Sequence, residues 1–199
     1  MPIPSSNFSA VIRLSEVHLN CKLIERTGGR LRKAADHWIA IDKGYDDGNV
    51  AQPIDIISMC SVCLSSSAAI SKMLLLGNRK SCNKTRILKR CNELMALLGT
   101  PDLPVMRFLA VRNSWEHLDE RLDAVLESKT LRSVSEIHVA VKQPDSATLV
   151  LRHFDPVAFH IKYGCDSINL MALIEEARDL SVRVNNAFKS LQKDEFDVC

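Results

Sequence analysis

The first forty residues carry apolar side chains at helical spacing. From Ser9 to about Lys43 the apolar positions recur every three or four residues, as they do on one face of an amphipathic helix. They are Leu14, Val17, Cys21, Ile24, Leu31, Ala35, Trp38 and Ile41. The pattern predicts one long helix, or two shorter helices if Gly28-Gly29 interrupts it.

The same spacing predicts three further helices. The first covers about residues 52–76, with Pro53 at its start, where the missing N–H of proline has no helical partner to lose. The second covers about residues 84–98 and ends before a Gly-Thr-Pro sequence that cannot continue it. The third covers about residues 102–129, with Asp102 as its predicted N-cap.

The pattern then changes from helical spacing to alternation. Apolar and polar residues alternate over 137–142 and 157–163, and a short apolar run covers 148–152. A period of two is typical of strands, so we predict a small antiparallel sheet of two or three strands. Helical spacing returns in a last helix, with Asp166 or Ser167 as its predicted cap.

The predicted fold class is therefore mainly α. It is a bundle of about five helices, with a small antiparallel β insertion at about residues 135–163 before the last helix. We expect residues 1–199 to form a single domain, since a chain of this length buries roughly 70% of its unfolded surface. With only ten aromatic residues, a sheet that stacks exposed bases, as in OB or RRM domains, is disfavoured.

The seven cysteines are odd in number and do not form the paired spacing of a zinc site. Cys60 and Cys63 lie within an apolar helix, so we interpret them as core thiols of a reduced, cytoplasmic protein. No metal and no cofactor is predicted, since phosphate-loop, dinucleotide, zinc-protease and hydrolase motifs are all absent from the sequence. The N-terminus lacks signal-peptide character, and the apolar stretch at 54–76 is interpreted as a buried helix rather than a membrane span.

The net charge of +2 conceals two patches of opposite sign. The acidic patch is Glu116, Asp119, Glu120, Asp123 and Glu127. The basic patch is Arg79, Lys80, Lys84, Arg86, Lys89 and Arg90. The basic patch is a candidate surface for RNA phosphates. The alternative interpretation is that the two patches pair with each other, within one bundle or across a dimer.

Candidate chemistry lies on one face of the helix predicted over 102–129. That face carries Arg112, Asn113, Glu116, His117, Glu120 and Arg121. Arg112 can bind a phosphodiester, and His117 can transfer a proton near neutral pH. The alternative is a solvated helix face whose opposite charges pair at i,i+4 spacing.

The sequence Arg112-Asn113-x-x-x-His117 resembles the Arg-x(4–6)-His motif of HEPN domains, which are small helical bundles that often dimerise. Many prokaryotic members are metal-independent ribonucleases. The resemblance covers about the four-helix part of the chain and implies a composite site across a homodimer. There His117 would transfer the proton of the attacking 2′-hydroxyl, Arg112 would stabilise the charged transition state, and Asn113 would orient the site, with Glu116, Glu120 and Arg121 in support.

Three other pairs of arginine and histidine have similar spacing. They are Arg13 and His18, Arg32 and His37, and Arg132 and His138. Only the asparagine after Arg112 and the helical context distinguish the candidate motif from them. We also expect the apolar Met106, Leu109 and Ala110, just before the motif, to be covered by another helix or by a second subunit.

The leading hypothesis is a cytoplasmic ribonuclease or RNA-binding protein of HEPN type that forms a homodimer. The candidate partners are a second copy of the chain, RNA and an inhibitory protein. No association with a membrane is expected. The alternative is a non-catalytic helical module whose charged helix binds a protein partner.

Overall fold

The computed structural model describes residues 5–45, 48, 51–75, 84–108, 133–140, 148–163 and 166–196. The helices are α1 (Ser5–Asp42), α2 (Pro53–Leu74), α3 (Lys84–Leu97), α4 (Pro104–Arg107) and α5 (Leu170–Phe196). The strands are β1 (Ser133–Val139), β2 (Thr148–Asp155), β3 (His160–Tyr163) and β4 (Asp166–Asn169). The predicted class, mainly helical with a small sheet before the last helix, is confirmed.

Helix α1 is continuous, so the alternative of two helices separated at Gly28-Gly29 is wrong. Its buried positions follow a seven-residue repeat of the kind found in coiled coils. This core seam comprises Leu14, Val17, Cys21, Ile24, Gly28, Leu31 and Ala35. Gly28 does not break α1 because it belongs to the seam, where the side chain of Ile174 on α5 occupies the space of a Cβ.

Glycines terminate α1 and α3 in the same way. Gly44 has a φ of +89° and Gly99 a φ of +68°, the left-handed conformation that a glycine adopts without strain. After each glycine the chain folds back to pair with the last helical carbonyls. The N–H of Tyr45 donates to Ala40 O at 3.0 Å, and that of Thr100 donates to Met95 O at 2.7 Å. These are Schellman ends, and the second confirms the predicted stop after α3.

Helices α1, α2 and α5 supply most of the hydrophobic core, and Phe154, Phe159 and Ile161 add the contribution of the sheet region. The indole N–H of Trp38 donates to the carbonyl of Ala51 at 3.0 Å and closes the hairpin between α1 and α2. Among the described helices, α2 alone has the length and apolar composition to cross a bilayer, a test that core helices of globular proteins also pass. In this fold 56% of its most apolar stretch is buried against the rest of the chain.

The sheet contains four strands in the order β1-β2-β3-β4, and it is mixed. Strand β1 runs parallel to β2, whereas the β2–β3 and β3–β4 pairs are antiparallel. The prediction of an antiparallel sheet with two or three strands is therefore wrong for β1 and for the number of strands. Alternation of side chains identifies a strand, but it is the same for both directions of pairing.

The helix predicted over 102–129 begins later than expected, and α4 ends after one turn at Arg107. Leu103, not Asp102, is the N-cap of α4, and Phe108 adopts an extended conformation directly after this single turn. Residues 109–132 lie outside the described part of the chain. The cap of α5 is also corrected: Asn169 Oδ1 accepts the N–H of Ala172 at 3.0 Å, whereas Asp166 and Ser167 belong to β4.

Candidate nucleic-acid interface

The residues of the HEPN-like motif lie outside the described part of the chain. These are Arg112, Asn113, Glu116, His117, Glu120 and Arg121, and the basic residues Arg79 and Lys80 lie outside it as well. Their roles therefore stay predictions. Of the three apolar residues expected to be covered, Met106 is described and is 1% exposed, in the hydrophobic core of its own chain.

The structure places the other four basic residues of the predicted patch on α3. Cys91 and Leu94 are buried and anchor one face of this helix. At 100° per residue, Lys89 lies opposite these two residues, Arg86 lies about 110° from them, and Arg90 flanks the buried face. Arg86 and Lys89 are exposed, Arg90 is half-buried, and Lys84 is exposed at the start of the helix.

Two side-chain contacts fix α3 against the end of α2. Arg90 Nη2 donates to the carbonyl oxygen of Lys72 at 3.1 Å. Cys91 Sγ contacts the carbonyl oxygen of Met73 at 3.4 Å. The backbone of the exposed Lys72 therefore lies beside Arg90 of α3. The basic patch predicted from the sequence did not include Lys72, because this residue belongs to a different, mostly apolar helix.

We refer to Lys72, Lys84, Arg86, Lys89 and Arg90 as the α3 patch. The acid closest to it on α3 is Glu93, whose Oε1 lies 3.9 Å from Lys89 Nζ. Both side chains of this pair are more than half exposed, so the attraction is largely screened by solvent. Within the described chain, no ion pair involves Lys84 or Arg86. The α3 patch therefore keeps most of its positive charge.

A second cationic region follows the outward face of α1, and the sequence interpretation did not identify it. Arg30, Lys33 and His37 line one side of a groove of about 750 Å³, opposite Asp55 and Ser58 on α2. The carboxylate of Asp55 stands where a phosphate would have to approach. The groove is consequently less suited to a phosphodiester than the α3 patch, whose neighbouring acid among the described residues of α3 is Glu93.

The second Arg–His pair with the candidate spacing has a structural role. Arg32 Nε lies 3.2 Å from Asp36 Oδ1, and the Arg32 guanidinium lies 5.6 Å from the ring centroid of Phe159. These contacts attach the sheet to α1 through a cation–π interaction. Arg32 is thus engaged in the fold rather than presented to a ligand.

Two histidines meet in the sheet. The Nδ1 atoms of His138 and His153 are 2.9 Å apart, and their rings stack with centroids 5.1 Å apart. Burial, and then the neighbouring His138 and Lys162, lower the pKa of His153. Within the described residues no cluster of three His, Cys, Asp or Glu side chains could hold a metal, so this pair lacks the further ligands of a zinc site.

Cys60 and Cys63 are both fully buried in the hydrophobic core, as predicted for core thiols. Burial raises the pKa of Cys63 to about 12 and raises the pKa of Cys60 as well. A thiol with such a pKa is protonated at neutral pH and is not a nucleophile. Cys60 and Cys63 are therefore packing residues.

No protein-family model, no curated protein and no solved structure matches this chain.

Proposed function

We propose that the protein binds RNA through the α3 patch. The observation that carries this proposal is the exposed cationic surface contributed by two helices, with Glu93 as the neighbouring acid on α3. Consecutive cations on one helix face lie about 5–6 Å apart, a spacing that lets several of them contact one phosphate backbone. Such contacts release counterions and supply most of the affinity that does not depend on sequence.

The catalytic part of the proposal rests on the HEPN-like motif. The 2′-hydroxyl of RNA attacks the adjacent phosphate, and the 5′-oxygen leaves with a proton. His117 carries the proton, Arg112 stabilises the negative charge on the phosphoryl oxygens, and Asn113 orients the site. Two subunits contribute these residues across one cleft. This step is metal-independent and restricted to RNA, because DNA lacks the nucleophile.

The binding experiment compares two triple charge reversals that change the net charge equally. Lys84→Glu, Arg86→Glu and Lys89→Glu remove cations from the α3 patch. The matched control reverses exposed cations elsewhere: Lys43→Glu, Arg178→Glu and Lys189→Glu. Affinity for single-stranded RNA is measured by fluorescence anisotropy at several salt concentrations.

We expect the α3 variant to bind at least roughly tenfold more weakly. The slope of log Kd against the logarithm of the salt concentration should decrease by about 2 in this variant. Each phosphate contact with a single strand contributes about 0.7 to that slope, and the variant loses three cations. The control variant should change much less. An equal loss of RNA affinity in both variants would mean that only the net charge of the protein matters. Unchanged RNA affinity in the α3 variant would exclude the α3 patch as the binding surface.

A nuclease assay on the same RNA tests the catalytic part separately. Arg112→Ala and His117→Ala should each reduce cleavage by at least roughly 100-fold, with RNA affinity retained and with activity persisting in EDTA. If the wild-type protein binds RNA without cleaving it, the catalytic proposal is wrong and the RNA-binding proposal stands.

A protein-interaction module is the second candidate function, and one observation favours it. Helix α1 exposes several large apolar side chains on the face opposite to its core seam. A contiguous exposed apolar face commonly marks a protein interface.

A further inference from the structure

Helix α1 has a second apolar face that the described part of the chain leaves exposed. Four large side chains on this face are Phe8, Ile12, Leu19 and Leu23, and they are 53%, 49%, 53% and 40% exposed. At 100° per residue they form one stripe on the side of the helix opposite to the core seam. We call these four residues the outer stripe.

The spacing of the outer stripe is the same in both directions along the helix. Its residues are separated by intervals of four, seven and four. Reversing the direction therefore places Phe8 opposite Leu23 and Ile12 opposite Leu19. An antiparallel contact between two copies of one helix, related by a two-fold axis, pairs residue i with j and j with i, and this spacing fits that pairing.

The middle of the outer stripe is suited to close approach of a second helix. The small, exposed Ser15 lies there, and its hydroxyl already donates to the carbonyl of Val11 at 2.9 Å. Burying this hydroxyl against another helix consequently leaves no donor without a partner. Two helices can meet at this position with the small Ser15 on one flank of the contact and the exposed Glu16 on the other.

The charges on the same face select the direction of the second helix. Beyond Leu23 the face continues with Arg26, Arg30 and Lys33, all exposed. A parallel pair of α1 helices would place these cations beside their own copies. An antiparallel pair with Phe8 opposite Leu23 overlaps over residues 5–26, about 33 Å of helix, and leaves Arg26 at the edge of the overlap with Arg30 and Lys33 beyond it.

We propose that a second copy of this chain docks on the outer stripe in an antiparallel arrangement, about a two-fold axis beside Ser15. Phe8 then packs against Leu23 of the partner subunit, and Ile12 against the partner subunit's Leu19. This inference supplies the interface of a homodimer from described residues. It does not depend on RNA binding, which has its own readout.

The test is sedimentation of the purified full chain at micromolar concentration. We expect the wild type to sediment at twice the mass of the 22.2 kDa chain. Ile12→Glu and Leu19→Lys should each weaken dimerisation at least tenfold, because each places an unpaired charge in the apolar contact. Both new residues are good helix formers at exposed positions, so circular dichroism should show an intact fold.

The double variant Ile12→Glu with Leu19→Lys determines the direction. In the antiparallel dimer each glutamate faces a lysine, so the double variant should dimerise more tightly than either single variant. In a parallel dimer like charges would face each other, and the double variant would be weaker than both. Val182→Glu, at an exposed apolar position of α5, is the control and should leave the dimer unchanged.

A monomeric wild type would overturn the proposal, as would single variants that remain dimeric or a double variant weaker than both single ones. The RNA affinity of each variant, measured in parallel, separates this outcome from the RNA-binding proposal. A monomer that still binds RNA through the α3 patch would remove the dimer, and with it the catalytic site shared by two subunits, but would leave the RNA-binding proposal.

Discussion

The backbone of Gly28 lies against the side chain of Ile174 on α5. A Cβ at position 28 would lie 2.3 Å from Ile174 Cδ1 and 2.6 Å from Cγ1, well inside van der Waals contact. The neighbouring Gly29 has no atom within 4 Å of its corresponding position. Two adjacent glycines in one helix therefore have opposite surroundings.

This contrast predicts opposite effects of the same substitution. Gly28→Ala should lower the free energy of unfolding by about 1 kcal/mol, because overpacking of roughly 1–3 kcal/mol exceeds the gain in helix propensity. Gly29→Ala should raise it by about 0.5–1 kcal/mol. Urea unfolding of both variants measures the difference. If Gly28→Ala were as stabilising as Gly29→Ala, α1 and α5 would not be in close contact at this level.

At the scale of elements, the parallel pairing of β1 with β2 brings together two side chains of the same kind. The register places His138 directly opposite His153, and their Nδ1 atoms share one short contact. Such a contact accommodates one proton between the two nitrogens. Burial, the neighbouring His138 and Lys162 all oppose a positive charge on His153, and Asp155 acts in the opposite direction.

We therefore expect the stability of the protein to fall as the solution is acidified. The pKa of His153 is lowered in the folded state, so the unfolded chain binds more protons once the pH falls below about 6.5. The stabilisation from neutral His153 is fully present above this pH and is lost towards the lowered pKa. Urea unfolding at several values between pH 5 and 8 should show a free energy of unfolding that decreases as the pH falls.

His153→Leu should reduce the dependence of the unfolding free energy on pH. His160→Gln, on the adjacent β3, should retain this dependence. A slope that is identical in the wild type and in His153→Leu would assign the pH dependence to other groups.

At the scale of the whole molecule, α4 is held by both of its long neighbours. The carboxylate of Glu176 on α5 accepts the N–H groups of Val105 and Met106 at 2.7 and 3.0 Å. The hydroxyl of Ser71 on α2 donates to the carbonyl of Met106 at 2.6 Å. These bonds fix the path of the chain immediately before residue 109, beyond which the Arg112–His117 motif follows.

Removing the Glu176 carboxylate should therefore loosen this attachment. Glu176→Ala leaves two backbone N–H groups without their acceptor, and we expect a loss of about 1–2 kcal/mol of stability. Glu176→Gln retains one acceptor oxygen and should lose about half as much. Glu175→Ala, at an exposed neighbouring position, is the matched control.

Denaturant unfolding gives the energies, and hydrogen exchange at Val105 and Met106 localises the effect. Unchanged exchange in Glu176→Ala would show that α4 does not depend on this contact.

The sequence by itself determined the features that depend on local spacing and turn chemistry. The core seam of α1, the start of α2 at Pro53 and the end of α3 at Gly99 all follow from residues within one or two turns of each other. Four cations of the α3 patch were predicted in the same way, because they are close in the sequence.

Only the tertiary structure decided the features that depend on distant residues. Alternation in β1 does not specify a parallel partner, and the bonds from α5 to α4 join residues seventy positions apart. Lys72 belongs to the α3 patch because Arg90 of α3 contacts its carbonyl oxygen in the folded chain. Gly28 is accommodated in a continuous helix because Ile174 of α5 packs against it. Local spacing constrains which face of an element is buried, whereas the partner of that face is set by the packing of the whole chain.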